Sequence, residues 1–268
     1  MQFTPLIRQA IARLLSTGLL LTGVTAALGA DLQVAPISVQ FKAREQGQPF
    51  WLSNTGTMPL RAQIRVQQWS QTEGVDKLEP AVDLLASPPA VEVQPGQRQL
   101  VRIVRPQPQP APIERAYRLI VDELPSTAAV QPAPGGAVAG LQFLLRYSVP
   151  VFIAPETPGA SPAADAASAP GPASGSVLSA TWRPSQAQEL AISNAGNARV
   201  RISRLVYESA QGERTDLVPG LLGYVLAGQR MRFTLPAAAA GLAPGGVFKA
   251  RFNDDAQEQV LRLVSPVS

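Results

Sequence analysis

Two pairs of adjacent carboxylates, Asp122-Glu123 and Asp254-Asp255, are the first residues in this chain that could do acid–base or metal chemistry. On a strand, neighbouring side chains point to opposite faces, so neither pair can clasp one metal ion or flank one glycosidic bond. Asn253-Asp254-Asp255-Ala256 reads as a hairpin turn, and Asp122-Glu123 as surface charges on a strand or at its end. The chain contains no histidine and no cysteine. That removes the usual general base, thiolate nucleophiles, Ser-His-Asp arrangements and zinc–thiolate sites. A Ser–Lys pair would remain, but the lysines are Lys42, Lys77 and Lys249, and none stands in a Ser-x-x-Lys sequence. Nor does a Gly-rich phosphate loop open a helix. Trp51, Trp69 and Trp182 could line a sugar platform, although single tryptophans on strands usually belong to a core. These residues predict a protein that is not an enzyme and takes no cofactor and no metal.

Main-chain recognition is the chemistry left. Residues 140–155 read Gly-Leu-Gln-Phe-Leu-Leu-Arg-Tyr-Ser-Val-Pro-Val-Phe-Ile-Ala-Pro. Leu141, Phe143 and Leu145 recur at every second position, so an extended strand turns all three to one face. Tyr147, Val149 and Val151 continue with apolar side chains, as a central strand would. Pro150, however, has no N–H for a ladder and marks an edge or a break in pairing. Two readings follow: an ordinary core strand, or an edge left open for a second chain to join.

The elements that must hold this stretch are β-strands. With 26 Pro and 21 Gly in 268 residues, short apolar runs alternate with turn signals. Ala62, Ile64 and Val66 share one face of a strand, and 116–124 forms another. The region from Trp69 to Val91 is turn-rich, including Ser87-Pro88-Pro89. Gln99 to Val104 alternates again, and the cluster Pro106, Pro108, Pro110 and Pro112 excludes a helix or a central strand. Residues 1–30 have the positive start, short apolar core and small terminal residues of a secretory signal peptide. No later stretch reaches spanning length, so no membrane insertion is expected once the signal is removed. Taking Arg8 and Arg13 from the 23 basic residues leaves 21 against 19 acidic, a net charge of +2. That is too weak for nucleic acid, which needs a concentrated basic face. Residues 156–175 are Pro-, Ala-, Gly- and Ser-rich and read as a linker. Beyond it Ser193-Asn194-Ala195-Gly196 echoes Ser53-Asn54-Thr55-Gly56, each followed by an Arg-bearing alternating strand. The expectation is an all-β chain of two immunoglobulin-like sandwiches, 31–155 and 176–268.

Several motifs in this order resemble the PapD-like periplasmic chaperones of pilus and fimbria assembly: Ser53-Asn54-Thr55-Gly56, Pro95-Gly96 before Val101-Arg102-Ile103, Tyr117-Arg118-Leu119 through Leu124-Pro125, and Arg146-Tyr147-Ser148-Val149-Pro150-Val151-Phe152. The last wording is similar to the archaic branch that handles spore-coat-U-type pili. The resemblance implies two sandwich domains set at an angle, in the periplasm. Its partners would be pilus or fimbrial subunits lacking their final strand, and an outer-membrane usher. By position Leu141, Phe143 and Leu145 are the residues inserted into the subunit, with Ala139 (and Ala137) extending them. The family also implies two basic residues in the inter-domain cleft that anchor the subunit's C-terminal carboxylate. The matching positions fall near Ser38 and at Pro150, neither basic. Arg146 is the nearest replacement, with Lys42 and Arg44 as further candidates. A bridging basic residue of some members aligns with Ala154, which leaves the domain angle open. A sticky edge also leaves self-association open. The alternatives are a structural surface or fibre protein with immunoglobulin-like domains and a periplasmic carbohydrate-binding module.

Overall fold

The computed structural model describes residues 31–125, 144–156, 178–184 and 188–264. The expected signal peptide, nearly all of the expected linker, and Ala139, Leu141 and Phe143 lie outside these residues. Along the first half run β1 (Leu32–Ala35), β2 (Val39–Phe41), β3 (Gly47–Asn54), β4 (Leu60–Thr72) and β5 (Val75–Pro80). They are followed by β6 (Leu85–Ser87), β7 (Ala90–Val93), β8 (Arg98–Val104), β9 (Arg115–Leu124) and β10 (Arg146–Ile153). One sheet has the order β1-β3-β8-β6, and the other β2-β10-β9-β4-β5, with β7 also pairing β4.

Strict alternation makes this sandwich. Phe50 and Leu52 on β3, Leu60, Ala62 and Ile64 on β4, Val101 and Ile103 on β8, and Tyr117, Leu119 and Val121 on β9 form one buried cluster. Full burial of a side chain of this size contributes about 1.5–3 kcal/mol. The turn-rich expectation for the region after β4 needs correction, because β5 and β6 are strands. All six residues of β5 are exposed, so no apolar alternation marks it, and it is held to β4 by the backbone ladder and by Asp76. The prolines between β8 and β9 do fall outside strands.

The second half repeats the architecture. Strands β11 (Leu178–Arg183), β12 (Glu189–Asn194), β13 (Val200–Glu208) and β14 (Arg214–Val225) come first. Then follow β15 (Arg230–Thr234), β16 (Val247–Phe252) and β17 (Gln259–Leu261). Their sheets have the orders β11-β12-β15 and β14-β13-β16-β17, closed over a core that includes Leu190, Ile192, Ile202, Leu205, Phe248 and Phe252. Ala237–Gly241 forms a 3-10 turn. Asn253 opens the β16–β17 turn with a positive φ of 54°, a conformation asparagine tolerates better than most residues.

The sequence echo is a structural one. Asn54 is buried and its amide donates to the carbonyls of Met58 and Val93, both at 2.8 Å. Its side-chain oxygen accepts the Gly56 N–H at 2.9 Å. Asn194 does the same with Ala198 (2.8 Å), Val225 (3.1 Å) and the Gly196 N–H (2.8 Å). One buried amide thus satisfies three backbone groups at the same corner of each sandwich.

Candidate functional site

Strand β10 has one occupied edge and one half-open edge. It pairs with β9 antiparallel from Arg146↔Asp122 to Ile153↔Arg115. On its other side β2 pairs only from Val151↔Val39 to Ile153↔Phe41. The Glu123 N–H donates to the Leu145 carbonyl at 2.9 Å, and the Ala154 N–H to Phe41 at 2.9 Å. Odd-numbered residues therefore turn their backbone groups to β9, and even-numbered ones turn theirs outward. At Arg146 and Ser148 those outward groups meet no strand among the described residues. Pro150 holds the next outward position, where its missing N–H breaks no ladder.

The side chains alternate on the same beat. Val149, Val151 and Ile153 lie in the first core, with Leu145 and Tyr147 packed against it. The Tyr147 hydroxyl donates to the Leu32 carbonyl at 2.6 Å. Of the expected insertion residues only Leu145 is described, half-buried on this core face. Phe143, Leu141 and Ala139 have the same odd parity.

The even-numbered residues of β10 lie on the opposite face of the sheet, and register sorts that face into rows. Arg146 stands beside Asp122, Ser148 beside Ile120, Pro150 beside Arg118 and then Gln67, and Phe152 beside Ala116 and then Trp69. In the first row Asp122 is shared by Arg146 and Arg65. Burial alone would raise this carboxyl, but the bonds from Arg65 and Arg146 outweigh it and hold Asp122 below the usual carboxylate range. Arg146 thus tacks β10 to its neighbour. Arg44 pairs with Glu156, and the Lys42 carbonyl accepts from the buried Arg105. None of Arg146, Lys42 and Arg44 lines the cleft described next.

The far rows form the junction with the second sandwich. Trp69, Phe152 and Leu226 are buried together over the small Ala116, with Tyr224 against them. The Trp69 ring lies 6.0 Å from Phe152 and 5.7 Å, edge-on, from Tyr224, spacings typical of attractive aromatic pairs. Arg199 stacks 3.6 Å from Phe152 and donates to the buried Glu114 carboxylate at 2.5 Å, and its own N–H bonds the same carboxylate at 2.9 Å. Burial pushes Glu114 up, with Arg199 opposing. Gln71 donates to the Tyr224 carbonyl at 2.8 Å and accepts the Leu226 N–H at 2.9 Å. At the tip of the β4–β5 hairpin, Gly74 (φ +80°) accepts the Arg232 N–H at 2.9 Å. A Cβ on Gly74 would come within 2.4 Å of the Arg232 side chain, so only glycine fits there.

Beside this junction lies a cleft of about 550 Å³ whose walls come from both sandwiches. Ile37, Arg118, Ser148 and Pro150 line one side, and Arg201, Ser203 and Leu221 the other. Arg201 is already committed, donating to Asn253 and to Asp254 at 2.7 Å. Arg118 is not. Its guanidinium stacks 3.7 Å from the Trp69 ring centroid and has no hydrogen-bond or ion-pair partner among the described residues. Burial lowers its pKa, while Asp76 and Tyr224 nearby act to raise it. A guanidinium keeps its charge in such surroundings and offers a planar fork suited to a carboxylate.

Sequence reasoning passed over Arg118, Glu114, Arg199 and Gln71. The one available signal was an arginine between Ala116 and Ile120 on the face of β9 that turns away from its own core. The three tryptophans share no platform: Trp51 lies under Arg98 on β3, Trp69 is in the junction, and Trp182 packs edge-on against Phe248.

Residues 31–158 match the model of the PapD N-terminal domain of pili and flagellar-assembly chaperones. No curated protein matches the chain. Among solved structures, the chain resembles one in the pre-assembly complex of the chaperone CsuC with the tip subunit CsuE, from archaic Csu pili of Acinetobacter baumannii. The two share 24% identity over 89% of this chain and 100% of that one, with a TM-score of 0.63. The YadV chaperone is similar at 16% identity, 86% and 98% coverage and a TM-score of 0.57. The CupB2 chaperone of Pseudomonas aeruginosa follows at 18%, 85% and 97%, and 0.52. Two β-sandwiches are the fold the chain shares with these solved structures, and residues 31–158 are identified as a PapD N-terminal domain of the kind found in pili and flagellar-assembly chaperones.

Proposed function

We propose that this protein is a periplasmic chaperone that completes unfinished pilus subunits by lending them a strand, then passes them to an outer-membrane usher. The observation that carries this reading is the outer edge of β10 at Arg146 and Ser148, unpaired among the described residues and running to Pro150 at the mouth of the inter-domain cleft. A subunit strand adds along that edge by main-chain hydrogen bonds. Leu145, with Phe143, Leu141 and Ala139 before it, fills the subunit's groove at alternate positions. Arg118 takes the subunit's terminal carboxylate, in place of the basic residues that Ser38 and Pro150 do not supply. Residues 1–30 direct export. The likeness to CsuC favours a subunit of the archaic type.

Co-expression with an archaic-type pilus subunit that lacks its final strand tests the reading. Phe143→Asp/Leu145→Asp is expected to abolish co-purification while the near-UV circular dichroism of the chaperone stays unchanged. Undiminished capture by this double variant would remove strand donation from the account. Arg118→Ala is expected to lower capture at least tenfold, and equal capture would remove the anchor.

A further inference from the structure

The free state of Arg118 calls for an explanation, because a carboxylate stands close by. Asp76, on β5, is the charge that most strongly favours the protonated Arg118 guanidinium, yet the two form no ion pair. The Asp76 carboxylate is instead held from the side. Its Oδ1 accepts the Trp69 indole N–H at 2.8 Å and a Gln71 amide N–H at 3.1 Å. Trp69 is the ring on which Arg118 stacks, and Gln71 is fixed by three further bonds to the second sandwich: its amide to the Tyr224 carbonyl, its oxygen to the Leu226 N–H, and its own N–H to Gln229. Ring, amide and carboxylate form one bonded set, and Arg118 rests on it through a π face that uses none of its donors.

We infer that Trp69 and Gln71 are positioning residues that hold Asp76 off Arg118, so that the guanidinium stays open to a carboxylate brought by a partner chain. The inference rests on the anchor reading above. Asp76 is the competitor: released from Gln71, its carboxylate swings onto Arg118 and quenches the site from within. Because Gln71 is bonded to Tyr224 and Leu226, half of the hold on Asp76 depends on the sandwiches staying docked. Carboxylate capture is thereby coupled to the junction.

The experiment compares a fluorescein-labelled peptide of alternating valine and threonine ending in a free carboxylate with the same peptide ending in an amide, by anisotropy. The ratio of the two affinities reads carboxylate recognition, which a general loss of stability does not select. Wild type is expected to prefer the acid by about tenfold, and Arg118→Ala to bring the ratio to about one. Gln71→Leu should cut the preference severalfold, and Gln71→Leu/Asp76→Asn should restore it, since the neutral amide put in place of the carboxylate has no charge with which to quench Arg118. Asp76→Asn alone should match or exceed wild type. Loss of preference in Gln71→Leu without recovery in the double variant overturns the inference and leaves the anchor standing, and so does a full preference in Gln71→Leu. A preference that is absent in wild type, or unchanged in Arg118→Ala, overturns the anchor and this inference with it.

Discussion

The two sandwiches are built around the same buried asparagine corner and finish differently. In the second, the last strand is sealed. β17 pairs with β16 through Phe248↔Leu261, and past it the Val264 N–H donates to Ala180 at 2.8 Å while the Ala180 N–H donates to Arg262 at 2.8 Å, tying the chain to β11. In the first, the last strand is stitched along β9, and on the other side from Arg146 to Pro150 it meets no strand among the described residues. The same framework can therefore close itself or keep a rim for another polypeptide, and the choice depends on where one neighbouring strand stops pairing. The closed sandwich contributes the second wall of the cleft and the Tyr224 carbonyl, Leu226 N–H and Gln229 side chain that hold Gln71.

The comparison can be broken most forcefully at the junction. Glu114→Ala leaves Arg199 buried without its carboxylate, and we expect a loss of about 3–5 kcal/mol in urea unfolding. A loss below about 1 kcal/mol would mean the pair is not buried in solution. Next come the corners. Asn54→Ala and Asn194→Ala each strip partners from buried backbone groups and should cost about 2–3 kcal/mol. Costs that differ by more than about 1 kcal/mol would show that the corners are not equivalent.

At the rim strand the effect depends on which edge is touched. Ser148→Pro removes an outward N–H that no strand uses, so about 1 kcal/mol or less of stability is expected to go, together with capture of a subunit. Val149→Pro removes an inward N–H and should cost about 3 kcal/mol or more. The reverse ranking would place the ladder on the other edge. For acid titration the sign follows from each carboxylate. Asp122 is held below its ordinary value, so its contribution is present above the normal carboxylate range and lost as pH falls through the lowered pKa. Asp122→Asn should flatten that acid limb. Glu114 is raised, so its contribution is full below the ordinary glutamate pKa and lost as pH rises through the raised one. The advantage of wild type over Glu114→Gln should therefore grow on acidification, and an advantage that shrinks would contradict the assignment. Smallest of all, Arg44→Ala breaks an exposed pair with Glu156 and should change stability by less than about 1 kcal/mol.

Much of the fold was legible because apolar alternation of period two is a local signal. It located β4, β9 and β10, and the Ser-Asn-x-Gly echo located both corners. Strand β5 was illegible because an exposed hairpin arm needs no apolar face. The cleft was illegible for another reason. Ala116, Phe152 and Trp69 read as strand residues of one domain, and only the approach of Tyr224 and Leu226 makes their outward face a junction. Arg118 acquires meaning from that approach and from the absence of a basic residue at Ser38 and Pro150. Spacing within one strand carries neither fact.

Pro150 also gives the open rim an origin. A guest laid alongside can bond at Ser148, at Arg146 and at alternate positions before them, but not at the imino nitrogen that follows. Sliding by one residue would turn every inserted side chain to the wrong face, and sliding by two is a whole step. Under the proposed strand donation, the strand is a ruler with its zero fixed beside the cleft, and a guest would fit by the distance between its chain end and its first bulky residue.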